Sequence, residues 1–226
     1  MEKNTRTKKG ISLAKKEVPS AVIRRLPRYH RFLGELLRHG QTRISSAALS
    51  ELMGVTASQI RQDLNCFGGF GQQGYGYNVE YLYEQIGELL GMGDGFTAII
   101  MGAGNLGRAL VSSHMFERRG VTRLAMFDVD EAVIGKSFGG VPVLSLDELE
   151  AFAADHKIDI GVLTTPKDAA EGVAKRLAAL GIRGIWNFSN MELTLPDHPD
   201  TVIENMYMGD SLMLLCYAMK SGEKGV

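Results

Sequence analysis

What the chain lacks bounds it first. Nowhere in its 226 residues does an apolar run approach 18 positions, so no membrane-spanning helix is expected. The N-terminus, MEKNTRTKKGISLAKKEVP, is basic but has no long apolar core, which argues against a secretory signal. Only two cysteines occur, Cys66 and Cys216, far apart and without metal-ligand spacing. A reduced, cytoplasmic setting with no bound metal is the simplest expectation.

What is present is ordinary globular material, 45% hydrophobic and 23% charged, enough for one large or two modest cores. The net charge of -1 conceals a division. Residues 1–80 hold 13 Lys and Arg against 6 Asp and Glu, whereas residues 81–226 hold 12 against 20. Two domains with different partners would produce that split, and a basic first half suits a polyanion such as nucleic acid. A solvated, lysine-rich tail (Lys3, Lys8, Lys9, Lys15, Lys16) would contribute to the same imbalance.

From Pro19, the stretch PSAVIRRLPRYHRFLGELLRHG places Ile23, Leu26, Tyr29, Leu33, Leu36 and Leu37 at helical spacing, with Pro27 interrupting and Gly40 as a stop. In ISSAALSELMG, Ser45 or Ser46 can cap a helix whose apolar face is Ala48, Leu49, Leu52 and Met53, closed by Gly54. VTASQIRQDLNCFG opens with Thr56 and Gln59 at capping-box spacing. Ile60 and Leu64 would face inward and Ser58, Arg61 and Gln62 outward. Helix, Gly turn and short helix with a polar outer face is helix-turn-helix geometry, although many proteins that never touch DNA share it. Arg suits guanine or phosphate, and Gln suits adenine. The following FGGFGQQGYGYNV reads as a hairpin, or wing, with Phe67, Phe70, Tyr75 and Tyr77 on its flanks and Gln72, Gln73 and Gly74 near its tip. A flexible Gly-rich linker is the alternative, but four aromatics speak against it.

The acidic half opens with FTAIIMGAGNLGRAL. A strand over Thr97–Met101, then Gly102, Gly104 and Gly107 in GxGxxG order, then a helix through about Glu117, is the start of a Rossmann fold. Such glycines let the backbone approach a pyrophosphate at a helix N-terminus. RLAMFDVD reads as a second strand ending in Asp128, whose carboxylate would accept from the adenosine ribose hydroxyls and favour NAD(H) over NADP(H). Strands in GVPVLS, IDIGVLTTP, IRGIWNF and TVIENM alternate with helices in LDELEAFAADH and KDAAEGVAKRLAALG, which predicts a parallel sheet; GDSLMLLCYAMKSG forms a terminal apolar helix. The strand ends carry Gly102–Gly107, Asp128, Thr164, Thr165, Pro166, Asn187 and Phe188.

Catalytic groups are missing beside this cradle. His30, His39, His114, His156 and His198 have no catalytic setting, although His114 falls late in the helix after the glycine loop. Tyr217 and Lys220 are three apart, not the four of the short-chain dehydrogenase pair. A nucleotide-binding protein that is not an enzyme is the expectation. An NAD-dependent dehydrogenase with an N-terminal extension and a CoA-binding Rossmann protein are the alternatives.

From about Val18 to Lys220 the chain resembles the Rex family of redox-sensing bacterial transcriptional repressors. The resemblance rests on VPSAVIRRLPRY, SSAALSELMGVTASQIRQDL, FGGFGQQGYGYNV, IIMGAGNLGRAL, FDVD, LTTP and WNF in that order. It implies a homodimer that binds double-stranded operator DNA, with NADH and NAD as competing effectors and NADH releasing the DNA. It implies an α/β chain: an N-terminal winged helix-turn-helix domain (18–84) after a basic tail (1–17), a Rossmann-type parallel-sheet domain (85–205), and a C-terminal swapped dimerisation helix (206–226). The DNA-contacting set is then Ser46, Thr56, Ser58, Gln59, Arg61, Gln62, Gln72, Gln73 and Tyr75. The nucleotide set is Gly102, Ala103, Gly104, Asn105, Leu106, Gly107, Asp128, Val129, Thr164, Thr165, Pro166, Asn187 and Phe188. Ser113 and His114 join it where relatives carry a pocket tyrosine. Gln62, Gln72 and Gln73 stand where relatives often have basic residues, which implies a weaker salt dependence or compensation by the tail. Arg31 matches an arginine that pairs across subunits in relatives; Tyr207 occupies the aligned acidic position, and Asp210 is the nearest carboxylate for a switch pair.

Overall fold

The computed structural model describes residues 18–65, 71–72 and 76–222, and of Gly71 and Gln72 only the backbone. The chain divides into two compact units, Met1–Met92 and Gly93–Val226. The first begins with α1 (Ser20–Ile23) and α2 (Leu26–Arg38). Pro27 stands in the first turn of α2, where its missing N–H costs no helical bond, so the two pieces are separate helices. Then come β1 (Arg43–Ile44), α3 (Ser46–Met53) and α4 (Ala57–Asn65). Of the two serines able to cap α3, Ser45 does so, accepting from the Ala48 N–H at 3.0 Å. Thr56 caps α4 by accepting from the Gln59 N–H at 3.1 Å. The expected capping box is only half formed, because the Gln59 amide turns to Asp63 instead.

β2 (Gly71–Gln72) and β3 (Gly76–Asn78) pair antiparallel, and β3 also pairs with β1, giving the order β1-β3-β2. α5 (Val79–Leu89) follows, capped by Asn78, which accepts from the Tyr81 N–H at 2.9 Å. Leu26, Tyr29, Leu33, Leu49, Met53, Ile60, Leu64, Leu82 and Ile86 are buried in one core. The apolar periodicity of α2 to α5 therefore builds a helical bundle with a small sheet, a winged helix. Leu82 and Ile86 place all of α5 in this unit, so the division falls at Met92–Gly93 and not at 84–85.

The second unit contains β4 (Thr97–Met101), α6 (Asn105–Ser112), β5 (Thr122–Asp128), β6 (Ser137–Phe138), β7 (Val141–Ser145), α7 (Leu149–Asp155), β8 (Ile160–Leu163), α8 (Lys167–Ala179), β9 (Gly184–Asn187), β10 (Val202–Asn205) and α9 (Met208–Ser221). The sheet order is β10-β9-β8-β4-β5-β7-β6, parallel except for the edge strand β6. The chain runs outward from β4 on one side and resumes at β8 on the other. That reversal between β4 and β8 is the topological switch point of a doubly wound sheet. Side-chain alternation splits the interior: Ile99 and Met101 join the core on one face, Ala98 and Ile100 that on the other. α6 ends at Ser112, short of the predicted Glu117, and Glu117–Arg119 forms a separate 3-10 turn. Met208, Leu212, Met213, Leu214, Leu215, Tyr217 and Met219 of α9 are all exposed in the single chain.

Two glycines of the GxGxxG loop are needed by the chain itself. Gly102 has φ of +103°, and a Cβ there would lie 3.0 Å from the Thr164 carbonyl oxygen. A Cβ on Gly107 would overlap the Gly102 carbonyl oxygen. Gly107→Ala is therefore expected to lower the stability of the second unit by about 1–3 kcal/mol. Urea unfolding of the nucleotide-free protein checks this, and an unchanged midpoint would mean that the loop yields without cost.

Candidate functional site

The carboxyl ends of β4, β5 and β8 meet around the glycine loop. The Gly102 N–H donates to the Phe127 carbonyl at 2.7 Å. The Thr164 hydroxyl lies 2.9 Å from the Gly102 carbonyl oxygen and 3.0 Å from that of Met101, so it bridges the two strand ends. Asp128 reaches across from β5, where its Oδ2 accepts from the Ala103 N–H at 2.6 Å. Its Oδ1 accepts from Val129 and Asp130 N–H groups at 2.7 and 2.9 Å. Oδ2, with one bond made, keeps accepting capacity for a further donor such as a ribose hydroxyl.

Two features of this cluster are unused by the protein. A Cβ on Gly104 would meet nothing within 4 Å. Packing therefore does not demand glycine there, and the loop is open to close approach of a ligand. The Thr165 hydroxyl is buried with no hydrogen-bond partner, alone in this among the described residues. Buried polar groups are ordinarily paired, so a donor or acceptor from outside the chain suits this position. Asn105 and Leu106 form the first turn of α6, and Pro166 precedes α8 at the mouth of the same loop. Val129 is 74% exposed, an apolar surface beside Asp128. A dinucleotide fits these residues: open glycine loop, strand-end carboxylate, unpaired hydroxyl and exposed apolar side chain.

Four expected site residues do something else. Asn187 is buried, and its amide donates to the Met191 carbonyl at 2.9 Å and to Asn205 Oδ1 at 2.8 Å. Its oxygen accepts from the Ser189 N–H and hydroxyl at 3.0 and 2.6 Å. All its bonding capacity is thereby committed to bracing the loop after β9. The Ser113 hydroxyl donates to the Leu110 carbonyl at 2.8 Å, closing α6. His114 lies beyond that helix in an exposed turn, so neither stands on the helical face expected of it. Phe188 packs edge-on against Trp186 at 4.6 Å between ring centroids.

In the first unit, Ser58, Arg61 and Gln62 are exposed along α4, while Ile60 and Leu64 are buried, as the periodicity requires. Arg61 Nη1 donates to Ser46 Oγ at 3.1 Å, which links the exposed faces of α3 and α4. Gln59, expected among the DNA-contacting residues, donates to Asp63 Oδ1 at 2.8 Å. Gln72 falls on β2, whereas Gln73 and Tyr75 lie outside the described residues. Arg31 sits over the Phe32 ring at 5.5 Å, and Asp210 lies in the first turn of α9 beside Lys167, Asn190, Glu192 and Tyr207 in a shallow groove. Arg31 belongs to the first unit and Asp210 to the second.

Asp63 itself was missed by sequence reasoning. Its side chain has no exposed surface. It accepts from Arg25 Nε and Nη2 at 2.7 Å each, from the Tyr29 hydroxyl at 3.0 Å and from Gln59. The signal was the spacing of Ile60, Asp63 and Leu64, which places all three on the inner face of α4. Burial works to raise the Asp63 pKa, but the Arg25, Gln59 and Tyr29 bonds outweigh it and hold the carboxyl below its ordinary range.

Residues 17–65 match a family model described as a putative DNA-binding protein N-terminus, and residues 96–191 match a CoA binding domain model. The redox-sensing transcriptional repressor Rex of Thermoanaerobacter pseudethanolicus is 51% identical over 92% of both chains. Rex of Clostridioides difficile is 47% identical over 93% of this chain and 100% of its own. Among solved structures, RSP in complex with β-NAD+ and operator DNA superposes with a TM-score of 0.83 at 51% identity, covering 91% of this chain and 94% of that one. RSP in complex with β-NADH gives the same TM-score at 47% identity, covering 92% and 97%.

Removing the buried carboxylate leaves the Arg25 guanidinium unpaired against the core. Asp63→Ala is expected to destabilise the first unit by about 3 kcal/mol, the low end for a broken buried pair, because the Arg25 side chain is 34% exposed. With the folded-state pKa depressed, the stabilisation is complete above the ordinary carboxylate value and is lost as pH falls through the lowered one. Unfolding followed from neutral to acid pH should show a parent-to-variant gap that narrows only on the acid side. A gap independent of pH would mean that charge is not what Asp63 contributes.

Proposed function

This chain belongs to the Rex family of redox-sensing transcriptional repressors, and from that premise we propose how its own residues carry the function. The observation that carries the nucleotide half is the glycine loop at the β4–β8 switch point, open at Gly104 and flanked by the unpaired Thr165 hydroxyl. NAD(H) lies there with its pyrophosphate against Gly102–Gly107, and Asp128 accepts from the adenosine ribose. Val129 covers the adenine, and Thr164, Thr165 and Pro166 border the nicotinamide half. The bound nucleotide acts as a signal, with no hydride transferred by the protein.

The output lies on α4. Arg61, Ser58 and Gln62 face the major groove, with Ser46 beside Arg61 and the β2–β3 hairpin as the wing toward the neighbouring backbone. The operator is double-stranded DNA read by a homodimer, because one winged helix offers a single short recognition helix and two copies double the contact. α9 supplies the dimer contact, since a helix with seven exposed large apolar side chains needs a covering surface. NADH releases DNA only by binding the DNA-incompetent arrangement more tightly than the competent one. A pairing of Arg31 with the partner subunit's Asp210 in one of the two arrangements would supply such a difference. A CoA-binding role draws on the family model at residues 96–191, but the relatives compared along nearly their whole length are repressors.

A mobility shift on promoter DNA tests the whole: NADH should weaken the complex and NAD+ should not, and failure to bind any candidate operator would sink it. Arg61→Ala is expected to cost about 1–3 kcal/mol of specific binding, and a smaller loss would move Arg61 off the base edges. Asp128→Ala should weaken NADH and narrow its advantage over NADPH in calorimetric titration. Unchanged selectivity would assign ribose recognition to another residue.

A further inference from the structure

The Ala103 peptide groups are held from both sides. Its N–H is taken by Asp128, and its carbonyl accepts from Arg108 Nε at 2.5 Å. Arg108 sits one turn into α6, and its guanidinium carbon lies 4.6 Å from the centroid of the Phe138 ring on β6. The turn after Phe138 presses on the same helix: a Cβ on Gly139 would come within 2.8 Å of the Val111 carbonyl oxygen. The edge strand β6, which lies beyond the expected alternation of strands and helices, thus supplies an aromatic shelf for a cation that grips the glycine loop.

We infer that Arg108 is a positioning residue for the nucleotide, acting through the Ala103–Gly104 peptide. The peptide is trans, so its C=O and N–H point in opposite directions. Arg108 draws the Ala103 carbonyl to one side and thereby aims the Gly104 N–H to the other. A pyrophosphate needs N–H groups turned toward it. With the peptide flipped, a carbonyl oxygen would face the phosphates and repel them. Gly104, lacking a Cβ, is the residue beside which such a flip is easiest. The guanidinium is charged and stacked on Phe138, so it resists that flip more strongly than a neutral donor would.

This inference rests on the nucleotide reading above and deepens it. It predicts that the group Arg108 serves is the pyrophosphate, common to reduced and oxidised forms. The test is calorimetric titration of the full chain with NADH, NAD+ and ADP-ribose, comparing the parent with Arg108→Ala and Phe138→Leu. Arg108→Ala should weaken all three ligands by a similar factor of about ten. Phe138→Leu should weaken them in the same pattern but less, and Arg108→Lys should recover part of the loss. The unfolding midpoint without nucleotide should stay with that of the parent. If Arg108→Ala fails to fold, Phe138→Leu carries the comparison. Affinities within about twofold of the parent, or a loss confined to NADH, would overturn the inference. A parent that binds none of the three would remove the nucleotide reading, and Arg108's role with it.

Discussion

The helix proposed to read DNA, α4, is held by a carboxylate it keeps inside. Asp63 lies between Arg61 and Gln62, which face outward, and Leu64, which faces the core. Its oxygens accept from Arg25 at the α1–α2 junction, from Tyr29 within α2 and from Gln59 one turn back on α4. A buried carboxylate without partners would be strongly unfavourable, so α4 can sit only where those donors converge. The net energy of such a pair is modest after desolvation; its effect is to restrict the angle at which α4 meets the bundle. Everything proposed for DNA reading depends on that angle, since Ser58 and Arg61 leave the same helix in the opposite direction.

The nucleotide unit follows the same logic by a different route. There the constraint is close approach of backbone to backbone, with Gly102 against Thr164 and Gly107 against Gly102. These contacts bring β4, α6 and β8 together so that two strand ends and the start of a helix share one small space. Gly104 is the exception within the motif, because its missing side chain faces nothing in the protein. The contrast separates the glycines that the fold requires from the one it leaves open. Arg108 and Asp128, gripping Ala103 from both ends, then determine which way the loop's donors point.

Much of this was legible in the residues. The helical spacing of Ile60 and Leu64 identified the inner face of α4, and the alternation of strands and helices identified the parallel sheet. Misreadings came where a side chain had two available partners. Gln59 had the spacing for a capping box, yet a buried carboxylate one turn away is a stronger acceptor than solvent beside the helix end. Asn187 stood at a strand end among binding groups, yet the loop after β9 needed four hydrogen bonds that only an amide could supply. The helix after the glycine loop was extended too far, because Ser113 caps it in a way that sequence periodicity does not register.

By itself the sequence determined the two domain types, the order of strands and helices and the chemistry offered at the strand ends, because these follow from periodicity and from glycines at fixed intervals. The tertiary structure alone decided which polar side chains are available to a ligand. Asp63, Asn187, Thr165 and Arg108 are all polar residues in plausible places, and only the folded positions of donors and acceptors separate the buried anchor, the loop brace, the unpaired hydroxyl and the clamp. Hydrogen bonds between residues 38 or 25 positions apart, such as Arg25 to Asp63 and Ala103 to Asp128, leave no local pattern in the chain. They exist because packing brings their ends together.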